Sequence, residues 1–197
     1  MGHVGIFLDR DGTINEEVDF VRSTEEFHLI EGSAPAIREL NQQRWRVFVV
    51  TNQSGIARGY LTEAQLAEIH SKLEHELHAH GAAIDAIYYC PHHPEFGTPP
   101  YRAVCDCRKP NIGMMTRAIH EFDLDPDQLF VVGDRLLDMQ MGSAAGARCI
   151  LVLTGYGKKE QELCETEGSS PDYVADNLYG AVQYIKRSLL ADASPAV

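Results

Sequence analysis

Short apolar runs, each closed by a polar or glycine-containing turn, recur along this chain. They predict strands over residues 4–8, 47–50, 86–89, 129–132, 150–153 and 173–175. These runs are rich in Val and Ile and barely alternate with polar residues, as strands covered on both faces do. Between them the apolar spacing lengthens to a helical three or four. Over 62–80, Leu66, Ile69, Leu73 and Leu77 keep that interval, and Thr62 with Gln65 makes a capping-box pair. Further helices are predicted over 33–44, with Pro35 in its tolerated first turn, and over 114–122, 137–145 and 178–190, the last capped by Asn177. Strands alternating with helices predict an α/β fold on a doubly wound parallel sheet.

Residues 90–108 break the rhythm. They hold four prolines, two adjacent histidines and three cysteines, with no periodicity. An unstructured stretch of that length is uncommon inside a compact domain.

Composition changes the picture little. With 44% hydrophobic and 23% charged residues, the 197-residue chain reads as an ordinary globular protein. One domain over 1–190 and a flexible tail at 191–197 are expected. Charge matters more: a net −12 with no basic stripe argues against a nucleic-acid partner, so an anionic ligand must be held by a local cluster of cations, amides or metal. No apolar run approaches the ~20 residues of a membrane span, and no leader pattern opens the chain. The expectation is a cytoplasmic monomer without a membrane partner. There the five cysteines point to metal or burial rather than disulfides.

In open α/β sheets, ligands bind beyond the carboxyl ends of the strands. Asp9 and Asp11 follow the first strand, Thr51 and Asn52 the second, Asp134 and Asp138 the strand at 129–132, and Lys109 the irregular loop. A phosphate monoester is a dianion whose uncatalysed hydrolysis is among the slowest reactions known. A carboxylate attacks it only when the repulsion is cancelled. Carboxylates from two strand ends can hold Mg²⁺, which bridges to phosphate oxygen. Lys109 and the Thr51 hydroxyl can take the remaining oxygens. Asp9 then reads as the nucleophile of a phospho-aspartate route. Asp11, two residues on along an extended chain, protonates the leaving alcohol and later activates water. Asp138 reads as an exposed helix residue or an outer partner of the site. A non-enzymatic receiver that stores phosphate on aspartate would carry a similar set, but Asp11 argues against storage.

Cys90, His92, Cys105 and Cys107 read C-x-H-x12-C-x-C. Three thiolates and an imidazole complete a closed tetrahedral set of the structural zinc type, and metal binding would give this loop the folding energy it cannot draw from a core. His93 competes with His92 as the nitrogen ligand. Cys149 and Cys164 read as plain thiols, and the other histidines as surface or satisfied residues.

The segments DRDGT, VVTNQSG, RKP and GDRLLD resemble the four motifs of the haloacid dehalogenase superfamily, over residues 9–138. The resemblance implies Asp9 as nucleophile, Asp11 as acid and base, and Thr51 and Lys109 on the phosphoryl group. It implies Mg²⁺ on Asp9, Asp134 and the backbone carbonyl of Asp11. The short intervals between motifs leave no room for a large cap domain. Within the superfamily, NQSGIARGYLTEAQ and YYCPHHP with CDCRKP resemble the D-glycero-D-manno-heptose 1,7-bisphosphate phosphatases, with the amino-terminal histidinol-phosphate phosphatases as near relatives. That likeness implies a small phosphorylated sugar as substrate, losing its 7-phosphate on the route to nucleotide-activated heptose and lipopolysaccharide. It also implies His92 as the zinc nitrogen, and substrate contacts from Thr51, Asn52, Gln53, Ser54, Arg108, Lys109 and Arg135. Residues 16–20 (EEVDF) stand where the heptose enzymes carry a Gly-Tyr pair, which keeps histidinol phosphate or another sugar phosphate as the alternative substrate.

Overall fold

The strands owe their burial to a period-two alternation of apolar side chains that serves two faces at once. The computed structural model describes residues 2–192. In it Ile6 and Leu8 of β1 (His3–Leu8) face one side of the sheet, and Phe7 the other. The same division holds in β2 (Arg46–Asn52) and β4 (Leu124–Gly133). β3 (Ala86–Cys90), β5 (Arg148–Val152) and β6 (Tyr173–Ala175) complete a six-stranded sheet of order β3-β2-β1-β4-β5-β6, with every pair parallel.

Helices cover both faces, as a parallel sheet requires. On one side pack α1 (Ser33–Gln42), α2 (Glu63–Ala79) and α6 (Leu178–Asp192), through Ile37, Leu40, Leu66, Ile69, Val182 and Ile185. On the other, α3 (Gly113–Phe122) and α4 (Leu136–Ala144) bury Met114, Met115 and Met141 against Phe7, Phe48 and Val131, with the rings of Phe7 and Phe48 stacked at 5.2 Å. The capping box at Thr62 and Gln65 is present, and Asn177 accepts the Gly180 N–H at 3.0 Å as a cap on α6. No helix among the described residues is long and apolar enough to cross a membrane.

Two elements differ from the expectation. A helix α5 (Gly157–Thr166) buries only Gly157 and Cys164, too few apolar positions for its period to be visible. β4 starts at Leu124 rather than near Leu129, because Leu124 pairs with His3 before the register shifts to Gly5 opposite Leu129. The polar DPDQ between them reads as a turn. α6 runs through Asp192, so residues 193–197 of the expected flexible tail lie outside the described residues.

The sheet order reverses between β1 and β4, the position at which open α/β sheets form a crevice at their carboxyl ends. Asp9 N–H donates to the Val132 carbonyl at 2.9 Å, which leads the chain out of β1 beside the end of β4. Gly12 turns it at φ +80, and a side chain there would collide with the Asp134 carboxylate.

Candidate active site and metal-binding loop

At the crevice, Asp9, Asp134 and Asp138 bring carboxylate oxygens within 4.8 Å of one another, all three buried. Lys109 enters from the loop after β3, its ammonium donating to Asp9 Oδ1 and Asp138 Oδ1 at 2.6 Å each. One cation does not neutralise three anions. Burial pushes the Asp9 carboxyl up to about 7 against the pull of Lys109, with Asp138 and Asp11 adding to the rise. Burial and then the charges of Asp9 and Asp138 push Asp134 up to about 8. Burial alone would lower the Lys109 ammonium, but Asp138 and Asp9 outweigh it and hold it well above its ordinary value.

Asp134 Oδ2 accepts the Tyr156 N–H at 2.8 Å, while its Oδ1 is buried without a hydrogen-bond partner. A buried anionic oxygen in that state is costly unless a cation meets it. The all-carboxylate donor set suits a hard divalent ion. Asp138, read from sequence as exposed or peripheral, is buried. It caps the start of α4 by accepting the Arg135 N–H at 3.1 Å, and a side chain at Gly133 would collide with it.

Asp11 stands apart from this cluster. Arg10 is fully buried and donates to both Asp11 oxygens at 2.8 Å, while Asn15 Nδ2 and Gln53 Nε2 each donate at 2.9 Å. Burial acts to raise the Asp11 carboxyl, but the Arg10 charge and these hydrogen bonds outweigh it and hold it below its ordinary value. Against Arg10 lies buried His70, whose Nε2 is 3.3 Å from the guanidinium; burial and then Arg10 push this imidazole down to about 4. A neutral His70 nitrogen is therefore available to accept from Arg10. Sequence reading missed Arg10 and Asn15, although a charged residue between Asp9 and Asp11 had to project to the opposite side of an extended chain.

The predicted phosphate-handling residues converge here. Thr51 is buried, its hydroxyl accepting from Gln53 Nε2 at 2.9 Å. Asn52 clasps the Lys109 peptide from both sides, Oδ1 accepting its N–H at 3.0 Å and Nδ2 donating to its carbonyl at 3.3 Å. Asn52 thus holds the lysine in place with the amide that sequence reading assigned to substrate. Ser54, Arg108 and Arg135 line the same open hollow of ≈ 220 Å³, and Arg135 stacks over the Tyr156 ring at 4.2 Å. Glu17, Asp19, Phe20 and Arg58 also line it and had been given no contact by motif.

The irregular loop gathers Cys90, His92, Cys105 and Cys107 with ligand atoms within 4.8 Å. Sulfur–sulfur distances are 3.5 Å (Cys90 to Cys105) and 3.2 Å (Cys105 to Cys107), and His92 Nδ1 is 3.4 Å from Cys107 Sγ. A tetrahedron with Zn–S near 2.3 Å has edges of about 3.8 Å, so the set is compact enough to close on one ion. Of the two adjacent histidines only His92 belongs to this set; His93 turns away to accept the N–H groups of Glu95 and Phe96. All five cysteines are free thiols, with Cys149 and Cys164 buried in one apolar cluster. The Arg108 guanidinium, next to the last loop cysteine, donates to the His92 carbonyl at 3.1 Å.

Residues 106–181 match the HAD-hydrolase-like family. Over 188 residues the chain is 39% identical to the D-glycero-beta-D-manno-heptose-1,7-bisphosphate 7-phosphatase of Haemophilus ducreyi, spanning 94% of this chain and 100% of that one. The like-named protein of Haemophilus influenzae is 41% identical over 183 residues, 92% of this chain and 96% of that one. The crystal structure of D,D-heptose 1.7-bisphosphate phosphatase from B. bronchiseptica, complexed with magnesium and phosphate, is similar at a TM-score of 0.82 and 37% identity, over 96% of this chain and 99% of that one.

Proposed function

We propose that this chain, which belongs to the family of the D-glycero-D-manno-heptose-1,7-bisphosphate 7-phosphatases, hydrolyses the 7-phosphate of that sugar bisphosphate through a phospho-aspartate on Asp9. The observation that carries the mechanism is the Lys109 ammonium 2.6 Å from Asp9 at the β1/β4 crevice, beside two further carboxylates. A carboxylate nucleophile that must approach a dianion needs positive charge beside it, and Lys109 supplies the first of that charge.

Magnesium bound by Asp9, Asp134 and the backbone carbonyl of Asp11 supplies the remaining positive charge when present. Asp9 attacks phosphorus as the bond from phosphorus to the sugar oxygen breaks, with Lys109 and Thr51 on the phosphoryl oxygens. The arriving dianion raises the Asp11 carboxyl, which takes up a proton and passes it to the leaving sugar oxygen. Asp11, again a carboxylate, then takes the proton of a water that attacks phosphorus, and inorganic phosphate leaves with Asp9 regenerated. Zinc on Cys90, His92, Cys105 and Cys107 is structural in this scheme, because four protein ligands leave no open position. The enzyme acts as a cytoplasmic monomer.

Asp9→Asn should abolish phosphate release while zinc content and fold persist. Wild-type kcat/KM should favour heptose 1,7-bisphosphate over histidinol phosphate, with heptose 1-phosphate seen as product by phosphorus NMR. Turnover by Asp9→Asn sinks the mechanism; a preference for histidinol phosphate sinks the substrate.

A further inference from the structure

Arg58 has no part in the chemistry above, yet it lines the same hollow as Asp9 and Lys109. Its guanidinium carbon lies 3.7 Å from the centroid of the Phe96 ring and 5.8 Å from that of Phe20. Two aromatic faces hold the plane of the fork without using its N–H groups. Nε is buried and has no hydrogen-bond partner. Among the described residues no carboxylate pairs with Arg58.

Its neighbour sharpens the point. Arg58 Nη2 lies 3.5 Å from His93 Nε2. His93 Nδ1 accepts two backbone N–H groups, from Glu95 at 3.1 Å and Phe96 at 3.2 Å, so the ring proton belongs on Nε2. Nη2–H and Nε2–H then face each other as two donors with no acceptor between them. Both groups are only partly buried, and an anion placed between them would meet both donors at once.

The loop that carries the cysteine–histidine set builds this corner. It contributes His93 and Phe96, and Gly97 at φ +83 lies so close to the Ala57 carbonyl that a side chain there would collide with it. The loop is thus pressed onto the turn just before Arg58. Arg108, also in the hollow, is tied to the same loop through the His92 carbonyl.

We propose that Arg58, with the Nε2–H of His93 beside it, is a specificity residue that grips the phosphate the enzyme does not cleave. This rests on the bisphosphate reading above, since only a substrate with a second phosphate presents an anion away from Asp9. One charge-assisted contact contributes roughly 10–100-fold in affinity. Arg58→Gln should lower kcat/KM for heptose 1,7-bisphosphate by about that factor, mostly through KM. The loss on p-nitrophenyl phosphate, which carries one phosphate, should be smaller by about tenfold or more. Arg58→Lys, which keeps the charge without the fork, should fall between wild type and Arg58→Gln, and it carries the test alone if the glutamine variant does not fold. Equal losses on both substrates, or no loss on either, overturn the inference while the substrate reading stands. Wild-type enzyme with no preference for the bisphosphate removes the substrate reading and the inference together.

Discussion

Replacing Lys109 with Met tests how the site tolerates its own charge. The substitution keeps the length of a buried side chain and deletes the ammonium that sits 2.6 Å from both Asp9 and Asp138. Losing one partner of a buried ion pair leaves an uncompensated charge and costs about 3–5 kcal/mol. For a chain of this size, that is a fall in Tm of roughly 6–20 °C. The cost depends on pH. In magnesium-free wild type, Asp9 and Asp134 hold their protons up to about 7 and about 8, against an ordinary value of 3.8. The folded chain therefore binds more protons than the unfolded one across that window, and stability falls as pH rises through it. Without Lys109 the Asp9 carboxyl climbs further, so the variant's deficit should widen from pH 5.5 to pH 8. Calorimetry in magnesium-free buffer with zinc retained measures this, and saturating Mg²⁺ at pH 8 should return part of the lost Tm. Activity should drop by about 10²–10³-fold in kcat, the usual cost of one donor to a developing oxyanion. A variant melting within 2 °C of wild type at pH 8 without magnesium would refute the charge balance drawn here.

Two further outcomes follow from the metal sites. Mg²⁺ must displace the protons that Asp9 and Asp134 retain near neutrality, so its affinity should rise up to about tenfold per proton per pH unit between pH 6 and pH 8. Calorimetric titration in buffers of different ionisation enthalpy should report that release, and a pH-independent affinity with no release would contradict it. In the loop, burial first and neighbouring thiols next push Cys90 and Cys107 well above the ordinary thiol range, so zinc must also displace protons. A strong chelator at neutral pH should release stoichiometric zinc, lower activity with the loss of Lys109 placement, and act faster as pH falls. Purified, active protein free of zinc would falsify a structural zinc on Cys90, His92, Cys105 and Cys107.

Most of the fold was legible because a parallel sheet advertises itself: both faces are covered, so its strands are apolar throughout, as Val49 and Val131 show on opposite faces. The site was legible where chemistry and strand ends coincide, at Asp9, Thr51 and Asp134. It was illegible where a residue's environment comes from a remote partner. Asp138 looks like any acidic residue in a first helical turn, and only the arrival of Lys109, 29 residues away in sequence, makes it part of a buried ion pair. Arg10 is hidden for the opposite reason. It is fully buried, and its partner Asp11 is next to it in sequence, a spacing too ordinary to stand out. His70 sits on an apolar helical face, where its contact with Arg10 depends on how α2 packs over β1. Arg58 follows a recognisable turn, but the rings that cage it come from residues 20 and 96.

These remote contacts share one source. The sheet alone delivers anions to the crevice, because the ends of β1 and β4 carry Asp9 and Asp134. Two of the cations, Arg108 and Lys109, come from the segment that has least core of its own, and that segment also helps hold a third, Arg58. Lys109 follows the loop directly and is clasped by Asn52 of β2, Arg108 is pinned to the backbone of His92, and Arg58 is caged by Phe96. A loop rich in proline and short of apolar burial holds three cations only if something else fixes its shape, and four ligand atoms converging on one point can do that. Under this account the cysteine–histidine set and the aspartates are one device, since the first orients the positive charge that the second cannot do without.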